Sequence, residues 1–261
     1  MKILHIGDIV GKPGRQAVQK LVPQLREDYD IDFVIANADN LAHGGGITQK
    51  TVGALLENGV DAITNGDHIW DKEEAEKVLK KDELNTIRAL NLPVGTVGKG
   101  VRIFEVGREK LAVVNLLGNV FMRADLPDPF KTIRQTVDKL HKEKIKNIFV
   151  DFHAEATSEK IALRYYLDGE ISALCGTHTH VPTADAQITA KGTAYITDTG
   201  MCGPIEGVLG VKKDIILYKF LTQRPHLHEV AEGEVEFDSV LITLGKNGKA
   251  TAIEQIIRRV K

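Results

Sequence analysis

Cysteine is scarce in this chain of 261 residues: there are two, Cys175 and Cys202, and no Cys-x-x-Cys spacing. That excludes a disulfide scaffold and sets a reducing cytoplasm as the expected compartment. Long apolar runs are missing as well. No stretch reaches the 18 apolar residues of a bilayer span, and Met1 to Val10 carries Asp8 where a signal peptide stays apolar. The expectation is a soluble protein with no membrane partner. An excess of charge of one sign is also lacking: the formal net charge is -2, so no strong nucleic-acid signature follows from the totals. Neither an internal repeat nor a low-complexity linker divides the chain, and one domain over 1-261 is expected.

What is present is ordinary globular composition, 43% hydrophobic and 27% charged, laid out as short apolar runs that stop on polar residues. Residues 2–6 read as a first strand ending on Gly7-Asp8. After the break Gly11-Lys12-Pro13-Gly14, with Pro13 suited to a first helical turn, Ala17, Val18, Leu21, Val22 and Leu25 recur at helical spacing. Residues 31–36 make a second strand, closing on Asn37-Ala38-Asp39-Asn40. His43-Gly44-Gly45-Gly46 and a helix over 48–58 follow. A third strand, 60–64, ends on Asn65-Gly66-Asp67-His68. In open α/β sheets ligands sit beyond the carboxyl ends of strands, so this recurrence has physical meaning.

Farther on, Asp71 is placed to cap a charged helix from 72 to about 81, in an estimate from capping preferences. Residues 84–100 read as loop, and 70-100 is a candidate lid. The pattern then predicts a hairpin of 101–106 and 111–117, a helix from Pro129 towards Lys144, and a strand 148–152 ending on His153-Ala154-Glu155. A helix over 157–167 leads to a strand at 171–175, which runs into Gly176-Thr177-His178-Thr179-His180. Read as extended chain, His178 and His180 point to one face. Short β-like runs at 186–189 and 193–196 precede a loop marked by Gly200, Gly203 and Gly207. A helix at 214–222 and strands at 234–244 and 250–256 close the pattern.

Collected at strand ends are Asp8, Asp39, Asn40, Asp67, His68, His153, His178 and His180. Singly, Asp8 and Asp67 also read as helix caps, Asn40 as an Asx turn and His153 as a structural histidine. Jointly they form a mixed oxygen and nitrogen set, which suits Mn, Fe or Zn better than Ca or Mg. The set is too large for one tetrahedral ion and fits two adjacent ones. His5 and His43 have no partner spacing, and Glu155 stands next to His153. The amides of Gly44-Gly45-Gly46 and of 200–207 read equally as a phosphate cradle or as plain turns.

The blocks Gly7-Asp8, Ala38-Asp39-Asn40, Gly66-Asp67-His68, Asp151-Phe152-His153 and Gly176-Thr177-His178-Thr179-His180 resemble the calcineurin-like metallophosphoesterase superfamily. More closely they resemble its YmdB-type branch of bacterial phosphodiesterases. Further matches are Trp70-Asp71-Lys72, the run from His153 to Lys160, and the run from Gly192 to Asp198.

The resemblance implies an α/β fold, a four-layer α/β/β/α sandwich of two mixed sheets, with two divalent metal ions, iron or manganese. One ion takes Asp8, Asp39, Asn40 and His180; the other takes Asp39 as bridge with Asp67, His153 and His178. It implies hydrolysis of phosphodiesters, including 2',3'- or 3',5'-cyclic nucleotides, by metal-bound hydroxide with His68 as proton donor. The expected partner is a small phosphodiester or cyclic nucleotide, with room for a homo-oligomer. The alternatives are a phosphomonoesterase of nucleotidase type and a metal-binding regulatory protein of weak activity. Two positions depart from the branch: Asp39 stands where Glu is usual and Asp67 where Asn is usual. The second adds negative charge beside the metals, an expected gain in metal binding and loss of pull on an anionic substrate.

Overall fold

A computed structural model of the protein describes residues 1–122 and 126–261. Its helices, among the described residues, are α1 (Gly11–Tyr29), α2 (Gln49–Glu57), α3 (Ala75–Leu79), α4 (Pro129–Lys142), α5 (Thr157–Leu167) and α6 (Lys213–Thr222). Alternation along the strands decides how they stack. Leu4, Ile6, Val34, Ala36 and Ile63 face outward from one sheet, against Val18 and Val22 of α1 and Val52 and Leu55 of α2. Their neighbours Ile3, Phe33, Ile35 and Ala62 face the other way, onto Leu111, Val113, Phe149 and Cys175 of a second sheet. The second sheet's outer face, with Val114, Val150 and Leu174, packs on Ile133 and Val137 of α4 and Leu163 of α5. Helix, sheet, sheet and helix are thus four layers around three apolar seams, as the resemblance implies.

In the first sheet Lys2–Ile6, Phe33–Asn37 and Ala62–Thr64 lie parallel and adjacent. Lys2–Ile6 and Met201–Pro204 share one edge of Val235–Leu244, whose other edge pairs along its length with Ala250–Val260. The second sheet runs Val101–Val106, Glu109–Leu117, Asn147–His153, Ala173–Thr177, Ala194–Ile196, Gln187–Ile188, its middle strands parallel. The carboxyl ends of the parallel strands of both sheets meet at one rim, and all the expected site residues stand there.

Several expectations are corrected. The expected break at 11–14 is helical: α1 begins at Gly11, with Pro13 in its first turn. Asp71 caps nothing: α3 starts at Ala75 behind Glu74, with no side-chain cap, and Asp71 accepts a hydrogen bond from His68 instead. The loop expected over 200–207 contains the strand Met201–Pro204, whose pairing partner is distant in sequence. Within 70-100, Ile87 is fully buried between the sheets, and Asn91 holds the backbone of Leu117 through both its amide groups. No helix among the described residues is long and apolar enough to cross a membrane.

Candidate metal centre

Asp8 and Asp39 are each gripped by backbone on one side only. The Oδ1 of Asp39 accepts the N–H groups of Gly66 (2.8 Å) and His68 (2.9 Å), and the Oδ2 of Asp8 accepts that of His178 (3.0 Å). Their other oxygens, Asp8 Oδ1 and Asp39 Oδ2, together with Asp67 Oδ1, are buried and have no hydrogen-bond partner. A buried carboxylate oxygen left bare is costly unless a cation meets it. Gly66 belongs to this geometry, because a Cβ there would run into the His153 ring.

The imidazoles are oriented to match, as their partners show. Thr177 Oγ1 gives its proton to Asp151 (2.7 Å) and so accepts from His153 Nδ1 (3.0 Å), which leaves the Nε2 lone pair of His153 free. His178 turns Nε2 to the carboxylate of Glu155 (3.0 Å), which leaves its Nδ1 free. The two free nitrogens face each other at 3.1 Å. His153 Nε2 also lies 3.4 Å from Asp39 Oδ2 and 3.5 Å from Asp67 Oδ1. Beside this, His180 donates Nδ1–H to the carbonyl of Leu209 (3.0 Å), and Asn40 donates its amide to the carbonyl of Gly44 (3.2 Å). What remains, His180 Nε2 and Asn40 Oδ1, face each other at 3.0 Å as two acceptors, with Asp8 Oδ1 4.0 Å from that nitrogen. Acceptors converging on acceptors repel unless positive charge lies between them, so the donor set fits divalent cations. Asp8, Asp39 and His153, and Asp67, His153 and His178, are close enough to share an ion, as are Asp39, Asp67 and His68.

The field agrees. Burial pushes the Asp8 carboxyl above its ordinary range. Burial opposes ionisation of Asp67 too, yet the imidazole of His153, 3.5 Å away, holds its carboxyl well below the usual range. Burial would lower His153, but Asp39, Asp67 and Asp8 around it raise it well above an ordinary histidine. Burial and then the charge of His153 depress His178 to about 4. Three carboxylates on one imidazole attract a positive charge, whether proton or metal.

His68 stands at the edge of that convergence, beside Asp39 and Asp67. Its Nδ1 donates to Asp71 Oδ2 (2.8 Å). Burial lowers its proton affinity, but the charge of Asp39 and the Asp71 bond outweigh that and raise it above the ordinary value. A cleft of about 620 Å³ opens before it, with Asp39, Asn40, His178 and His180 among its lining.

The structure brings all eight expected residues to one rim, but not by the expected local geometry. The strand before them is Ala173–Thr177, and His178 and His180 lie past its end with φ of 100° and 62°. They do not share a strand face: each turns to a different cluster. Two groups escaped the reading of the sequence. One is the buried network of His5, Asn37, Thr64, Asp151 and Thr177 behind the rim, where Asp151 accepts from Asn37 (2.9 Å), Thr64 and Thr177. The other is the Lys160–Asp198 ion pair (2.8 Å), in which Lys160 also holds the Thr177 carbonyl and Asp198 the Thr179 N–H. Several of the glycine amides are spent within the chain: Gly45 N–H bonds the Ala42 carbonyl (3.4 Å), Gly46 N–H the Asp39 carbonyl (2.6 Å) and Gly200 N–H the Asp198 carboxylate (2.9 Å).

Comparison with known proteins places this geometry among relatives. The family model described as YmdB-like protein matches residues 4–256. A Bacillus subtilis protein named 2',3'-cyclic-nucleotide 2'-phosphodiesterase is 46% identical over 258 residues, covering 98% of this chain and 97% of that protein. A crystal structure of a hypothetical protein from Thermus thermophilus superposes with TM-score 0.93 at 40% identity, over 99% of both chains. The NAD nucleotidase of Haemophilus influenzae, at 15% identity and TM-score 0.64 over 98% of this chain and 55% of its own, shares the fold alone.

Proposed function

The chain belongs to the YmdB-like family of metallophosphoesterases, and from that premise we propose that it is a dinuclear-metal phosphodiesterase acting on cyclic nucleotides, first the 2',3' class. The observation that carries the reading is the convergence of bare carboxylate oxygens and imidazole lone pairs beside a histidine held ready to give a proton. Asp8, Asp39, Asn40 and His180 would hold one ion, and Asp39, Asp67, His153 and His178 the other. Iron or manganese suits such a donor set. When bound, such ions supply a nucleophilic water at neutral pH and offset the charge of the phosphate.

The chain's own part is positional and acid–base. Backbone amides fix one oxygen of Asp8 and of Asp39 and so aim the other. Thr177, Glu155 and Leu209 each engage one ring nitrogen of a histidine and so present the other. As water adds to phosphorus and the bond to the 2' oxygen breaks, that oxygen needs a proton. His68, whose hold on a proton is raised by Asp39 and Asp71, is placed to give it. The product is the 3'-monophosphate.

The test uses metal-stripped protein supplied with Mn or Fe and offered bis-p-nitrophenyl phosphate against p-nitrophenyl phosphate, then 2',3'- and 3',5'-cyclic AMP. Metal-dependent diester cleavage is expected, with His68→Ala losing most turnover while binding Mn as the parent does. Preference for the monoester would overturn the diesterase reading, and full activity in His68→Ala would remove the proton-donor role.

A further inference from the structure

The cleft has two unlike walls. Besides the carboxylates and imidazoles, the same 620 Å³ space is lined by the apolar residues Val10, Leu209, Ile216, Phe220 and Val230, with His226, His228 and Glu229 next to Val230. Most of the apolar lining comes from α6 and from the small hairpin Gly207–Val208 and Val211–Lys212. α6 is apolar on several sides, yet among its residues only Ile215 is buried, and Phe220 is left 78% exposed. A helix with such a sequence and so little covering is short of a partner.

The hairpin is built for this place. Its turn residues Leu209 and Gly210 both have positive φ, 53° and 83°. That conformation is costly for a leucine. The Leu209 carbonyl accepts from His180 Nδ1 at 3.0 Å, while its side chain joins the apolar wall. One strained residue therefore ties the wall to the candidate metal centre and fixes the distance between them.

We propose that this wall, with Phe220 as its platform, binds the base of the nucleotide whose phosphate lies at the rim. A ligand that fills both walls must be anionic at one end and flat and apolar at the other. Nucleotides meet that description, and ligand sites of roughly 300–1,000 Å³ suit molecules of their size. Stacking on an aromatic ring accepts any base, so the wall confers preference for nucleotides over small phosphodiesters rather than for one base. The proposal rests on the diesterase reading for its substrate, so binding is measured apart from turnover.

The experiment titrates Mn-loaded parent, Phe220→Ala and Phe220→Tyr with adenosine 3'-monophosphate and with inorganic phosphate, and records kcat and KM for 2',3'-cyclic AMP and for glycerol 1,2-cyclic phosphate. Phe220→Ala is expected to weaken nucleotide binding and raise KM for the cyclic nucleotide about tenfold, in line with the loss of one stacked base. Phosphate binding, kcat and the glycerol substrate stay as in the parent, and Phe220→Tyr restores the nucleotide. Equal nucleotide binding in parent and Phe220→Ala would overturn the proposal. So would equal losses on both substrates, or a change in oligomeric state without a change in nucleotide affinity, which would assign the wall to contact between copies. A parent that binds the nucleotide through Phe220 but cleaves neither substrate would uphold the wall and overturn the diesterase reading instead.

Discussion

Asp67 shows how much one atom decides. Its Oδ1 is bare and buried, 3.5 Å from His153 Nε2 and 3.7 Å from His178 Nδ1. An amide in its place would keep an oxygen there but remove the charge. On the dinuclear reading proposed above, two divalent ions against three carboxylates would leave one positive charge; against two they would leave two, which would draw an anionic substrate harder. Asp67→Asn is therefore expected to bind Mn roughly tenfold more weakly or worse, judging from the effects of lesser changes around metal sites. At saturating Mn its turnover of a diester should equal or exceed the parent's. Calorimetric titration of Mn and steady-state rates at two Mn concentrations check both halves, and tighter Mn binding in the variant would contradict the charge argument. Residue types were the legible part of this site. Their geometry was not, because His178 and His180 use positive φ, which period-two reasoning does not anticipate, and because tautomers depend on partners such as Leu209 that lie far along the chain.

The strand is the element that carries chemistry to the rim, and it does so with one face. Ile35 lies between the sheets, Asn37 two residues on belongs to the polar network, and Asp39 two further on reaches the centre. Phe149, Asp151 and His153 repeat the series, and Cys175 and Thr177 begin it again. Apolar, bridging and ligand-bearing positions follow one another at a spacing of two, so the network was in principle readable as a continuation of the buried alternation. Helix α5 meets this face through Lys160. With both Lys160 and Asp198 buried, the pair locks the turn that holds His178. Breaking it leaves a charge in the interior, and Lys160→Met is expected to cost about 3–5 kcal/mol. Adding Asp198→Asn should recover part of that, because the stranded charge goes. Urea midpoints of the two variants measure this, and a single variant within about 1 kcal/mol of the parent would show the pair to be solvated.

At the scale of the whole molecule, the layers and most helices follow from local pattern, since period and punctuation are properties of neighbouring residues. The pairing does not. Lys2–Ile6 joins a strand near the other end of the chain, through partners such as Ile3 and Ile242, and no local signal selects that match. Asp238 sits at this joint: its carbonyl accepts Gly7 N–H (3.1 Å) and its carboxylate Met201 N–H (3.1 Å). Its other carboxylate oxygen is buried without a partner. Burial, with Glu236 and Asp198 adding negative charge, raises its pKa from 3.8 to about 7. Between those values the folded protein keeps a proton that the unfolded chain has released. The stability it confers is complete below the lower value, falls across the window and is lost above the upper one. Asp238→Asn keeps an uncharged acceptor for Met201 and removes the titration. The variant should match the parent near pH 4 and gain on it up to about pH 7, by roughly 1.4 kcal/mol or less per pH unit, with no further gain beyond. Urea unfolding of both proteins with chelator present, at acidic, intermediate and alkaline pH, reads the difference while the other groups cancel. A gap that stays constant with pH would mean that Asp238 is as charged in the fold as outside it, and that the joint between Lys2–Ile6 and Val235–Leu244 tolerates a buried carboxylate.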